Sequence, residues 1–163
     1  MTEKGRGYMP QPVRLDWGTP QYIFEYAVKR WGVHHIDLAA SKENTKCSLY
    51  IDEEENALDG DWGRYHVRGW LNPPYGKMLK PFAKQVSHQL TTGNIESVTI
   101  LVPSRTDTEW FSILMRHAVE VVFIRGRLKF EGAENSAPFP SVLIHMKRTG
   151  KQTVPTDYSV KID

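Results

Sequence analysis

A chain of 163 residues, 40% apolar and 25% charged, is long enough to bury the core of one globular domain. Its net charge of +2 is too small to identify a polyanionic partner. The single Cys, Cys47, excludes an internal disulfide, is too little sulfur for a structural zinc site, and suits a reducing cytosol. Six His with no helical His-x-x-x-His spacing give no reason to expect metal catalysis. No apolar run reaches transmembrane length, and Met1 to Pro12 lacks the apolar stretch of a secretory signal. A cytoplasmic location is the expectation.

Residues 1–15, with Gly5, Gly7, Pro10 and Pro12, have no periodicity and read as a mobile arm. Thr19-Pro20 has the form of a helix N-cap followed by Pro at the first helical position. Ile23, Phe24, Ala27, Val28 and Trp31 carry the helical spacing, and Gly32 ends it. His35 to Ala39 and Ser48 to Ile51 read as short strands, the second entering the acidic segment Asp52, Glu53, Glu54, Glu55, Asp59 and Asp61. Val67 to Leu71 is the next strand. Met78, Phe82, Val86 and Leu90 mark an amphipathic helix that stops at Gly93. Ser97 to Val102 is a β-branched strand, and Trp110, Phe111, Leu114 and Met115 mark another helix, capped by Thr106 or Asp107. Val119 to Ile124 and Ser141 to Met146 are the last strands, joined by the loop 126–140.

Strands alternating with helices predict a mostly parallel α/β sheet, and the last two strands an antiparallel hairpin at one edge. One folded domain is expected over 16–148 and a loosely packed tail over 149–163. Strand C-termini are where open α/β sheets hold ligands. Asp37, the acidic segment, Asn72 to Tyr75 and Pro103-Ser104 all follow strands and are expected to share one rim.

Asn72-Pro73-Pro74-Tyr75 is the most specific local feature. Asn72 offers a side-chain carbonyl, and Pro73 a main-chain carbonyl without an N–H. The Pro-Pro turn is stiff and extended, and Tyr75 adds a flat ring. Two fixed acceptors and a ring can hold a planar NH2-bearing group such as adenine; the bland alternative is a Pro-rich turn that ends a strand. Lys77, Lys80 and Lys84 follow the turn, and Arg125, Arg127 and Lys129 lie beyond the fifth main strand. They are either solvated faces or phosphate contacts. Cys47 reads as structural, and His34 and His35 as satisfying local hydrogen bonds.

The motifs Trp17-Gly18-Thr19-Pro20, Ile36 to Ser41, Asn44, Asn72 to Gly76, Thr106-Asp107-Thr108 with Trp110-Phe111, Gly126 to Phe130 and Ser136 to Ser141 occur in one order along the chain. In that order they resemble the phage-type (Dam-type) DNA N6-adenine methyltransferases. The resemblance implies a Rossmann-like S-adenosylmethionine-dependent methyltransferase sheet with double-stranded DNA as partner and no metal. It implies that a methyl group passes to the N6 amine of a flipped-out adenine, with Asn72, Pro73 and Tyr75 as catalytic residues. Thr19, Pro20, Asp37, Ala39 and Ala40 would border the methionine end of the cofactor. Asp37 would accept from its ammonium, or else cap a helix. Glu54, Glu55 or Asn56 would meet the ribose. Asp61 and Trp62 would flank the cofactor's adenine, with Trp62 alternatively core. Lys77, Arg105, Arg125, Arg127 and Lys129 would contact DNA, and Ser104 to Asp107 would wall the substrate pocket. The turn after Asp37 departs from the Gly-rich pattern common among methyltransferases, and no G-x-G-x-x-G is present, which argues against a nicotinamide dinucleotide. Two other readings remain: the same chemistry on a protein glutamine amide, and a cofactor- or DNA-binding module without catalysis. Oligomeric state and recognition sequence are open.

Overall fold

The structure, a computed structural model, describes residues 17–64, 67–148 and 156–163. The expected N-terminal arm and residues 149–155 lie outside them. Helix α1 (Gln21–Trp31) buries Ile23, Phe24 and Ala27. Pro20, not Thr19, sits at its N-cap, and the Pro20 carbonyl accepts from the N–H groups of Ile23 and Phe24. The Thr19 hydroxyl instead accepts from the Trp70 indole N–H at 3.3 Å. Tertiary contact overrides the local capping signal here.

Strands β1 (Ile36–Asp37) and β2 (Leu49–Tyr50) are shorter than their apolar runs suggest. The Asp37 carboxylate accepts from the N–H groups of Ala39 and Lys46, which folds the chain back on itself directly after β1. Then follow β3 (Arg68–Leu71), α2 (Leu79–Thr92), β4 (Ser97–Pro103), α3 (Glu109–Met115), β5 (Ala118–Ile124), β6 (Ser141–Lys147) and β7 (Thr156–Val160). The cap of α3 is Thr108, whose Oγ1 accepts from Phe111 N–H at 3.3 Å; neither Thr106 nor Asp107 takes that place.

The strands form one mixed sheet in the order β2-β1-β3-β4-β6-β5-β7. β1, β2, β3 and β4 are parallel neighbours, whereas β6 runs antiparallel to both β4 and β5. The expected antiparallel pair exists, but not as an edge hairpin. β6 is inserted between β4 and β5, and β7 joins β5 in parallel on the outside. This fits the burial of six of the seven β6 residues, a pattern for a strand covered on both sides and both faces. A strand within the segment expected as a loose tail was hidden by its polar composition, because an outer strand needs little apolar sequence.

Trp70, Thr99, His145 and Glu120 lie side by side across β3, β4, β6 and β5. α1 and the turn after it cover this row. Phe24 packs edge-on to Trp70, and Trp31 stacks on His145 at 5.0 Å while its indole N–H donates to Glu120. His34 Nε2 and His145 Nδ1 both lie 2.8 Å from the Thr99 hydroxyl. His35 accepts from Arg68 N–H. The two His of the adjacent pair thus bond across the sheet, not locally. Burial holds His34 and His145 down to about 4, so both rings are neutral at pH 7, and one hydroxyl can donate to one ring and accept from the other.

Gly69 is the close-approach point of the central strands. A Cβ there would stand 2.7 Å from Leu38 Cδ1 and 2.9 Å from Ile95 Cδ1, both in the core. Gly69→Ala should therefore destabilise the fold by roughly 1–3 kcal/mol through overpacking, measured by urea unfolding. A variant as stable as the parent would show that this contact is loose.

Candidate functional site at the strand-end rim

Because β1, β3 and β4 are parallel and in register, Asp37, Asn72 and Pro103 emerge on the same rim. β5 runs the same way as β4, each being antiparallel to β6, so Arg125, Arg127 and Lys129 leave the sheet there too. Loop 126–140 returns over this rim to β6, with Ser104 N–H donating to the Pro140 carbonyl. The convergence expected from the strand ends is present.

Two concavities flank the Asn72–Tyr75 turn. The first is a polar cleft of about 30 Å³ lined by Trp17, Gly18, Thr19, Asp37, Ala39, Asn44 and Asn72. The second, about 220 Å³, is mainly apolar and is lined by Tyr75, Gly76, Leu79, Pro103, Arg105, Trp110 and Phe139. Asn72 Nδ2 donates to the Trp17 carbonyl at 3.1 Å. A carbonyl can only accept, so this contact fixes the amide's orientation and turns Oδ1 the other way. No described residue donates to that oxygen.

Tyr75 is buried, and its hydroxyl donates to the Leu101 carbonyl at 3.1 Å. Its ring meets Phe130 and Phe139 edge-on. Burial pushes the phenol well above its ordinary value. The ring is therefore held by its hydroxyl as well as by its aromatic neighbours, which the sequence alone did not indicate.

Asp37 is no helix cap. It is buried, and its carboxylate takes the N–H of Lys46 at 3.0 Å and, more weakly, that of Ala39 at 3.5 Å. The neighbouring Cys47 thiol is pushed up to about 12 by burial and by Asp37, so it is inert as a nucleophile.

The remaining expected residues divide clearly. Thr19 and Ala39 line the polar cleft with Asp37; Pro20 is spent on the α1 cap, and Ala40 N–H donates to the Ile51 carbonyl. Glu55 and Asp61 are exposed, with Glu55 N–H on Asp52 and the Asp61 carboxylate on Gly63 N–H. Trp62 is fully buried, and its indole N–H is taken by the Ala57 carbonyl, so it is a core residue and presents no face to the rim. Lys77, Arg105, Arg125, Arg127 and Lys129 are all exposed. Lys80 is exposed as well and pairs with Glu109. Sequence reasoning missed Trp17 as the partner of Asn72, and Trp110 and Phe139 as walls of the apolar cleft. Their motif membership was the only signal available. Among the described residues no cluster of three His, Cys, Asp or Glu could hold a metal, and no helix is long and apolar enough to cross a membrane.

Burial raises the Asp37 carboxyl from 3.8 to about 6, outweighing the two N–H donors and the Lys46 charge. Between about pH 4 and 6 the folded protein keeps a proton that the unfolded chain loses. The resulting penalty is absent below that window, grows through it and is constant above, reaching roughly 3 kcal/mol. Asp37→Asn should thus gain stability relative to the parent as pH rises from about 4 to about 6, read by urea unfolding at both ends. A stability difference that does not change with pH would contradict this.

A family model for DNA N-6-adenine-methyltransferase (Dam) matches residues 6–154. The DNA N-6-adenine-methyltransferase of Haemophilus phage HP1 is 34% identical over 141 residues, 80% of this chain and 79% of that protein. The protein of the same description from Escherichia phage T1 is 35% identical over 120 residues, 73% of this chain; the match spans 48% of the phage T1 protein, about half its length. The solved structure of a Vibrio vulnificus protein, described as a modification subunit of a type I restriction enzyme, aligns with 86% of this chain and 45% of its own at a TM-score of 0.55. At 13% identity that likeness speaks for the fold alone. The chain belongs to the DNA N-6-adenine-methyltransferase (Dam) family.

Proposed function

We propose that this protein transfers a methyl group from S-adenosylmethionine to the N6 amine of an adenine extruded from double-stranded DNA. The observation that carries this reading is the oriented Asn72 amide, which lines the polar cleft at the start of a turn whose other end, Tyr75, lines the apolar one. The sheet order, with β6 antiparallel inside an otherwise parallel sheet, supports a Rossmann-like methyltransferase fold.

The polar cleft fits one end of the cofactor. It has room for a group the size of a water molecule or an ammonium. Its donor set is right for a cation: a buried carboxylate, the Asn44 side chain and the Thr19 hydroxyl. Ala39 is small enough to allow close approach. Burial makes the Asp37 carboxylate costly to charge, and an ammonium beside it would offset that cost. When bound, S-adenosylmethionine supplies an electrophilic methyl group on its sulfonium.

The residues of the chain then position the amine. The apolar cleft beside Tyr75 takes the flipped base, because an amine inside the duplex stack cannot be reached. Asn72 Oδ1 and the Pro73 carbonyl accept the two N6 protons. This draws the nitrogen lone pair out of conjugation with the ring and aims it out of the base plane. Trp110 and Phe139 exclude water from the same cleft. No strong base is required before attack, since the methylated amine sheds its proton readily. Catalysis rests on orientation and preorganised dipoles. Arg127 and Lys129 on loop 126–140 and Lys77 after the Pro-Pro turn face the DNA backbone. A protein glutamine amide presents a similar planar NH2, but the basic rim favours the nucleic acid.

The test is transfer of labelled methyl from S-adenosylmethionine to DNA and to protein acceptors. Label should appear on adenine N6 in DNA, and Asn72→Ala should lower kcat by roughly 10²-fold or more, as expected for one preorganised polar contact. Label on protein glutamine alone, or near-normal turnover in Asn72→Ala, would refute the reading.

DNA affinity should fall steeply with salt, because phosphate contacts release counterions. Removing Arg127 and Lys129 together should flatten the slope of log affinity against log salt by about 2. An unchanged slope would take both side chains out of the interface.

A further inference from the structure

Lys46 and Glu131 were given no role by the sequence, yet they meet at the crossing point of the three segments that build the rim. Lys46 Nζ lies 2.9 Å from Glu131 Oε1 and also donates to Gln21 Oε1 at 3.2 Å. The Lys46 side chain is only 9% exposed, whereas that of Glu131 is 47% exposed. The main chain of Lys46 holds the Asp37 carboxylate. The main chain of Glu131 pairs with Gly18 through two hydrogen bonds, 3.2 and 2.9 Å, as an isolated antiparallel bridge. Glu131 packs so closely there that a Cβ on Gly18 would stand 2.9 Å from its Oε2 and 3.1 Å from its Cβ. Trp17, next in the chain, stacks on Phe130 at 5.5 Å and gives its carbonyl to Asn72.

Two routes therefore leave loop 126–140, which carries Arg127 and Lys129. One runs through Gly18 and Trp17 to Asn72. The other runs through the Glu131–Lys46 ion pair to the turn that holds Asp37. An ion pair with one partner half-exposed contributes little to stability, so packing strength does not explain why the Lys46 stem is buried to reach it. Its position between the loop and the Asp37 turn does.

We propose that the Lys46–Glu131 ion pair is a positioning tether that couples the DNA-facing loop to the polar cleft, so that DNA and cofactor each tighten binding of the other. The proposal rests on the functional reading above. Coupling between two ligands is reciprocal and is measurable as a ratio of affinities. Both residues act through others: Lys46 through the Asp37 turn, Glu131 through Lys46.

The experiment is calorimetric titration with S-adenosylhomocysteine, which permits no turnover, with and without a saturating mixed-sequence DNA duplex. It compares the parent with Glu131→Gln, Lys46→Met and Lys46→Arg. Glu131→Gln keeps the main-chain bridge to Gly18, and Lys46→Met keeps the main-chain bond to Asp37. In the parent, DNA should tighten binding by at least about fivefold, within the usual range of coupling between sites. The ratio should fall to near unity in Glu131→Gln and in Lys46→Met and persist in Lys46→Arg, while thermal melting changes little. Coupling retained in either neutralising variant overturns the tether. A parent that binds both ligands without coupling also overturns it and leaves the functional reading standing. A parent that binds neither ligand overturns both.

Discussion

An amide side chain has one donating end and one accepting end, and the Trp17 carbonyl occupies the donating end of Asn72. The acceptor role proposed for Asn72 depends on that contact. It leaves a fixed acceptor at the end of β3, on a turn stiffened by Pro73 and Pro74. Trp17 is itself fixed from the other side, by its stack on Phe130 and by the Gly18–Glu131 bridge. The loop between β5 and β6 thus reaches across the sheet to orient an amide on β3. Without the parallel register of β1, β3 and β4, Asp37, Asn72 and Pro103 would not stand on one rim for the loop to close over.

The molecule separates support from chemistry. The row Trp70, Thr99, His145 and Glu120 lies under α1 and its following turn; the His pair at its centre is neutral, and the charge sits at its outer end, where Glu120 pairs with Arg30. Acid would charge these rings: folded-state values near 4 lie below the ordinary 6.5, so their contribution to stability is lost as pH falls from about 6.5 towards 4. Asp37 on the rim has the opposite sign, costing stability as pH rises through the same region. A group retained against stability at a strand end is where a ligand charge would be received.

Much of this was legible in the chain. Helical spacing at Ile23, Phe24 and Ala27 and at Phe82, Val86 and Leu90 gave the helices, because the buried face of a helix must recur at that period. The strand ends and the Asn72–Tyr75 turn were legible because Pro and Gly punctuate strongly. Long-range partners were not. Thr19 looks like a cap until Trp70 claims its hydroxyl. Tyr75 looks like a bare ring until the Leu101 carbonyl takes its hydroxyl. Lys46 and Glu131, 85 residues apart, carry no local signal at all. The places of β6 between β4 and β5 and of β7 outside β5 are set by long-range pairing, and spacing does not encode that.

A crystal structure of the protein with S-adenosylhomocysteine and a DNA duplex containing its modified adenine tests the central claim most directly. The account predicts that the adenine leaves the stack. Its N6 should sit within hydrogen-bond distance of Asn72 Oδ1, roughly 2.7–3.2 Å, while Nδ2 stays on the Trp17 carbonyl. An adenine still stacked in the duplex, or an Asn72 amide turned so that Nδ2 faces the base, would contradict it.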